Sequence, residues 1–240
     1  MRKLSIRRLV PNLITFISLT FGLLAIKFAI DQKWEIAVTL IVFSSFLDNL
    51  DGKLARLLKA NSNFGVELDS LADFISFGVA PAIIVYLWSK TFFFETNWAI
   101  VIFYAICSSS RLAKFNVLSY ENKSKADLRF FSGISTPAAA GLSLLPMMFN
   151  FRFDFDIINY EIFIKFYLFL PSVLMISSFS TYSLKGIKIE KRLIPFLIIL
   201  FASFIYLLIT DFWLAMIILI SVYYLSIPFA IYESKVSLKT

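Results

Sequence analysis

Four aspartates stand close together in the stretch FLDNLDGKLARLLKANSNFGVELDSLADF: Asp48, Asp51, Asp69 and Asp73. At 100° per residue, Asp48 and Asp51 fall with Gly52 and Ala55 in an arc of about 100° on one helix, and Gly65, Asp69 and Asp73 fall within about 80° on the next. Two carboxylate-bearing faces can therefore meet. Four carboxylates in one place repel unless cations neutralise them. Carboxylate oxygens are hard ligands that suit Mg²⁺, Mn²⁺ or Ca²⁺. Two such ions about 4 Å apart can bridge four aspartates and clamp both the attacking and the leaving oxygen of a phosphoryl centre. Zinc and iron–sulfur chemistry is poorly supported, because the chain has no histidine and a single cysteine, Cys107. That lone cysteine also rules out an internal disulfide and reads as a small buried apolar residue.

The residues around the aspartates fit a bulky anionic ligand. Gly52 and Gly65 carry no Cβ, so a headgroup could approach the helix backbones there. Arg56 lies beside the carboxylate arc, placed to pair with a diphosphate, whereas Lys53 and Lys59 read as anchors at the membrane surface. Glu67 points away from the Asp69 face by about 160° and stays outside the site. Further off, Arg111 and Lys114 sit about 60° apart on one helical face. They could hold an acceptor carboxylate or a lipid phosphate, or snorkel to the interface. Asn12 and Thr15 could touch a nucleotide base or hydrogen-bond to a neighbouring helix.

The elements that must position these groups are membrane helices. Of the 240 residues, 59% are hydrophobic and 18% aromatic, with mean hydropathy +0.81, where a soluble domain is roughly 45–50% apolar. The expected fold class is an all-α polytopic membrane helical bundle. A span needs about 20 residues, and eight candidates lie at about Leu13 to Ile30, Trp34 to Leu58, Leu71 to Trp88, Trp98 to Asn116, Pro137 to Phe151, Ile162 to Phe179, Leu193 to Ile209 and Phe212 to Ala230. The fifth is short, and charge splits the second. The basic start MRKLSIRR lacks a small-residue cleavage site after it and reads as a first anchor.

With that end inside, most Lys and Arg fall in cytoplasmic segments. Net charge +7 then reflects topology and attraction to anionic lipid rather than nucleic-acid binding. No linker or soluble block interrupts the chain, so residues 1–240 read as one membrane domain. The polar stretch Ser119 to Arg129 reads as a solvated loop. The last two spans, almost purely Ile, Leu, Phe and Tyr, read as packing rather than chemistry.

The spacing Asp48-x2-Asp51-Gly52-x2-Ala55-Arg56-x8-Gly65-x3-Asp69-x3-Asp73 matches at every position the signature of the CDP-alcohol phosphatidyltransferase family, which this chain resembles. The resemblance implies a six-helix membrane core, often dimeric, whose aspartates hold two metals, Mg²⁺ or Mn²⁺, and the diphosphate of a CDP-lipid. By position, Asp48, Asp51 and Asp69 would be metal ligands, and Asp73 both a ligand and the general base for the acceptor hydroxyl. Gly52, Ala55, Arg56 and Gly65 would line the CDP pocket, with Asn12 and Thr15 as further candidates. PNLIT with FGLLAI, FGVAPA at Phe77 to Ala82, RLAKFNV at Arg111 to Val117 and FSGISTPAAA at Phe131 to Ala140 look like the phosphatidylserine synthase branch, although Ile134-Ser135 stands where related chains more typically read Leu-Pro. Two spans beyond the core, about 191–232, are also similar to that branch, and the core covers about 8–185.

The implied partners are CDP-diacylglycerol, L-serine, membrane lipid and a second copy of the chain. The implied location is a bacterial cytoplasmic (inner) membrane with the site on the cytoplasmic side. The rival acceptors are glycerol 3-phosphate and an inositol phosphate, which need more basic residues near the quartet than Arg111 and Lys114. A cation transporter would instead place its carboxylates near span centres, with helix-breaking Gly/Pro pairs.

Overall fold

The computed structural model describes residues 6–58, 60, 62–90, 98–120, 130–154, 161–182 and 191–237. The start of the basic leader, Lys59 and residues 121–129 of the polar loop lie outside these. The helices are α1 (Ile6–Ile30), α2 (Trp34–Leu57), α3 (Asn63–Asp73), α4 (Ala80–Lys90), α5 (Trp98–Tyr120), α6 (Thr136–Phe153), α7 (Glu161–Ile176), α8 (Ile194–Thr210) and α9 (Phe212–Ser237). A π-helical turn, Phe74–Val79, joins α3 to α4 in one continuous rod. Leu9–Ile30, Asn63–Ser89, Trp98–Val117 and Phe212–Ser234 are long and apolar enough to cross a membrane, and Lys165–Ile176 and Ile194–Thr210 are shorter apolar helices. The chain is an integral membrane protein of all-α type. Length and composition support four full spans among the described residues, where eight were expected. At α2 the charges at its acidic end lower the hydropathy of an otherwise span-length helix.

The rods alternate in direction, so the end of α2, the start of α3 and the start of α6 share one end of the bundle. Small side chains let α1 approach its neighbours, as membrane interfaces favour. Ala25, Ala29, Ala37 and Val38 are buried, and Ser18 Oγ lies 2.8 Å from Ser44 Oγ. A Cβ on Gly22 would stand 2.8 Å from the Cα of Ser76, closer than real Cβ atoms come.

The third rod starts at Asn63 rather than near Leu71, where its apolar run begins. Ser62 caps it, accepting from Gly65 N at 3.0 Å. Hydropathy marks the apolar part of a helix and says nothing of polar first turns, so Asp69 and Asp73 stand about two and three turns inside. The π turn directly after Asp73 contains the bond from Ala80 N to Ile75 O. Its extra residue rotates the next helix by about 100°, so α4 buries Ala80, Ala82, Ile84 and Val85 on a face offset from the aspartates.

Two short strands were not anticipated, since three residues each leave no alternating pattern to read. β1 (Phe130–Ser132) pairs antiparallel with β2 (Ser180–Tyr182), Phe131 opposite Thr181. Gly133 comes next with φ +70°, and a Cβ there would press on the carbonyls of Ser177, Leu174 and Met175 at 2.8–3.0 Å. Its amide donates to Phe179 O at 2.7 Å and that of Ile134 to Leu174 O at 3.3 Å. This turn therefore caps the end of α7 and delivers the chain to the start of α6.

Candidate active site

Asp48 and Asp51 sit on the last turns of α2, Asp69 and Asp73 on α3. One carboxylate oxygen from each of Asp48, Asp51 and Asp69 lies within 4.8 Å of the others. The Asp48 carboxyl is within hydrogen-bonding reach of those of Asp69 and Asp73. The two acidic faces meet, as the helical arcs require. No Lys or Arg forms an ion pair with any of the four among the described residues. Three hard oxygens converging without a positive side chain form a donor set that fits a divalent cation.

Asp51, only 4% exposed, is held from α1: Thr15 Oγ1 donates to its Oδ2 at 2.6 Å. Thr15 also reaches Pro11 O at 3.2 Å. Of the two roles open to it, Thr15 takes the interhelical one, and orients a carboxylate. Asn12, one turn earlier, stands beside α3, its Oδ1 3.2 Å from where a Cβ on Gly65 would be. Ser62 Oγ is equally near that point, so protein fills the space at Gly65. Gly52 is the opposite case: it is exposed, and a Cβ there would meet nothing within 4 Å. Ala55 is half-buried and Arg56 exposed on the same helix.

Asp73 has a partner that sequence reasoning missed. Thr136, the first residue of α6 and 3% exposed, donates to Asp73 Oδ2 at 3.4 Å. Two residues earlier on the same segment, Ile134 O accepts from Arg111 Nε at 3.1 Å. Arg111 is half-buried, whereas Lys114 is exposed and lies outside this group. The signal was present, since FSGISTPAAA stands out in the sequence, but nothing in one chain shows that it folds back across the acidic end. Cys107 is buried, as expected, and Glu67 is exposed.

Comparison with known proteins shows the family of the chain. Residues 8–179 match the CDP-alcohol phosphatidyltransferase family. A CDP-diacylglycerol–serine O-phosphatidyltransferase of Mycobacterium tuberculosis is 40% identical over 148 residues, 60% of this chain and 51% of that protein. This chain thus spans about half the length of that relative. Proteins of the same name from Helicobacter pylori are 35% identical over 198 residues, 82% of this chain and 81% of the relative. One from Mycobacterium leprae is 31% identical over 231 residues, 95% and 76%. With well over half its length matched and the aspartates of the motif gathered at one end of the bundle, the chain belongs to the CDP-alcohol phosphatidyltransferase family.

Proposed function

We propose that this protein transfers the phosphatidyl group of CDP-diacylglycerol to L-serine, releasing phosphatidylserine and CMP. The observation that carries this reading is the meeting of Asp48, Asp51 and Asp69 from two helices, with no cationic side chain paired to them among the described residues. The names of the relatives support serine as the acceptor. Asp48, Asp51, Asp69 and Asp73 would hold two Mg²⁺ or Mn²⁺ ions, which supply charge stabilisation at the attacking and leaving oxygens of the phosphoryl centre.

The open space over Gly52 leaves room for the cytidine diphosphate against α2, with Ala55, Arg56, Gly65 and Asn12 at its margins and the acyl chains remaining in lipid. Thr15 serves by orienting Asp51. Asp73 accepts the proton of the serine hydroxyl as its oxygen attacks the phosphorus bearing diacylglycerol. The bond from that phosphorus to the diphosphate bridging oxygen breaks, and CMP leaves with the electron pair. An aspartate has a reference pKa of about 3.9, so position matters more than basicity, and the Thr136 hydroxyl helps to set it.

Arg111 offers a guanidinium to the acceptor's carboxylate. Residues 8–185 form the catalytic core, and the chain works as a homodimer in a bacterial inner membrane with the acidic end cytoplasmic. The test supplies purified protein with CDP-diacylglycerol and, in parallel, labelled serine, glycerol 3-phosphate and inositol phosphate. CMP release that depends on serine and on Mg²⁺ or Mn²⁺, and stops on chelation, is the expected result. Release driven by either phosphorylated acceptor instead would reassign the substrate.

A further inference from the structure

The motif FGVAPA at Phe77 to Ala82 follows the last aspartate closely and carries no ionisable side chain, so any part it plays in the chemistry must run through the backbone. It spans the end of the π turn (Phe74–Val79) and the first residues of α4. An α-helix would bond the Phe77 carbonyl to the amide of residue 81. That residue is Pro81, which has no N–H and whose ring clashes with the carbonyl four residues back. The wider register makes room for the ring: Ala80 N donates to Ile75 O, five residues back. The Phe77 carbonyl takes its hydrogen bond from another helix, the buried Tyr104 hydroxyl on α5 donating to it at 3.1 Å. Both flanks of the turn are gripped. Ser76 Oγ donates to Ser18 O on α1 at 3.4 Å, and a Cβ on Gly78 would stand 2.9 Å from Ser108 Cβ on α5.

We propose that Pro81 and Tyr104 are positioning residues for the acidic site: they hold the π register of Phe74–Val79, and that register turns Asp69 and Asp73 toward Asp48 and Asp51. This rests on the reading of the four aspartates as one metal site. A π turn inside an α-helix is rare and is commonly kept where function needs it. Were the turn to relax to α, the helices on its two sides would rotate against each other by about 100°. The turn and α4 bury Ser76, Phe77, Gly78, Ala80, Ala82, Ile84 and Val85, whereas α3 buries only Ala72. The side that gives way is therefore α3, which carries Asp69 and Asp73. At a Cα radius of about 2.3 Å, such a rotation moves its backbone by about 3.5 Å and its carboxylates further. Oxygens of Asp48, Asp51 and Asp69 that now lie within 4.8 Å of one another would no longer share a cation.

The test uses the full chain with Pro81→Ala, which restores the amide, and Tyr104→Phe, which removes only the hydroxyl. Three quantities are read: the melting temperature without metal, Mn²⁺ binding from the loss of the free-ion EPR signal, and serine-dependent CMP release. Pro81→Ala should hold or raise the melting temperature, since a proline leaves the helix interior. It should nevertheless weaken Mn²⁺ binding about tenfold or more and slow CMP release about a hundredfold. Tyr104→Phe leaves a buried carbonyl without its donor, so the melting temperature should fall while Mn²⁺ binding weakens as well. Opposite shifts in stability with the same loss at the metal site are what a purely structural role would not produce. Pro81→Val, made in parallel, also restores the amide and carries the comparison if the Ala variant fails to fold. Pro228→Ala, which removes an exposed proline inside α9, should leave Mn²⁺ binding as it was. Unchanged Mn²⁺ binding in the Pro81 variants, or binding that rises and falls with the melting temperature, would overturn the proposal. Mn²⁺ bound by the unsubstituted protein and lost on substitution, but with no CMP released by serine, would instead refute the function proposed above and leave the role of the turn standing. No Mn²⁺ binding by the unsubstituted protein would overturn both.

Discussion

The two ends of the bundle treat charge in opposite ways. At one end Arg152 and Asp211 form an ion pair between α6 and the turn before α9, and Asp211 also accepts from Leu214 N at 3.1 Å, capping α9. At the other, four carboxylates of one sign converge from α2 and α3, with hydroxyls of Thr15 and Thr136 as their neutral partners. Charge at a membrane surface that is already balanced within the protein serves assembly. Charge of a single sign, held in place with no cationic partner among the described residues, leaves its balance to something that binds.

Breaking either end should therefore read out differently. The largest effect belongs to Asp73→Asn, which keeps the shape of the side chain and removes the proton acceptor. Serine-dependent CMP release should fall about 10²–10⁴-fold, with Mg²⁺-dependent CDP binding weakened much less. A variant that still turned over serine at the original rate would remove Asp73 from the chemistry.

Gly52→Ala sharpens the contrast from the ligand side. With nothing within 4 Å of the added methyl, the fold should hold, and helix propensity should favour the variant by roughly 0.5–1 kcal/mol. If CDP lies against that surface, the methyl costs about 1–3 kcal/mol of binding, roughly tenfold or more in Kd. Thermal unfolding and CDP titration on one sample check both halves. Unchanged CDP affinity would move the nucleotide away from Gly52.

The smallest effect is expected from Arg152→Ala at the paired end. The pair is partly exposed to solvent, so its loss should cost about 1 kcal/mol and lower the melting temperature slightly. KM for both substrates should stay as it was. A marked loss of turnover would mean that the two ends are coupled through α6 and α9.

How much of this was legible in the sequence depends on the range over which its signals act. The 3.6-residue period alone puts Asp48 with Asp51 and Asp69 with Asp73 on common faces, because helix geometry is local. Apolar run lengths marked apolar helices for the same reason, but gave eight spans where length and composition support four among the described residues, and misplaced the start of the third rod, since the polar turns from Asn63 carry no hydropathy signal. Thr15 left two roles open, which only the position of α1 against Asp51 could separate.

Other features depended on segments far apart in the chain. Nothing in FSGISTPAAA shows that Gly133 must pack against the end of α7, or that Thr136 must reach back 63 residues to Asp73. The last pair of helices looked like packing alone from composition. α8 has no buried residue, whereas α9 buries Ala215, Met216, Ile217, Ile227 and Ala230. Composition counts apolar surface, while the level at which a helix is pinned depends on contacts such as Tyr224 with Ala138, 86 residues away. The acidic faces and their spacing were thus written in local sequence. Which hydroxyls hold them, and which distant helix stands beside them, was decided when the helices packed.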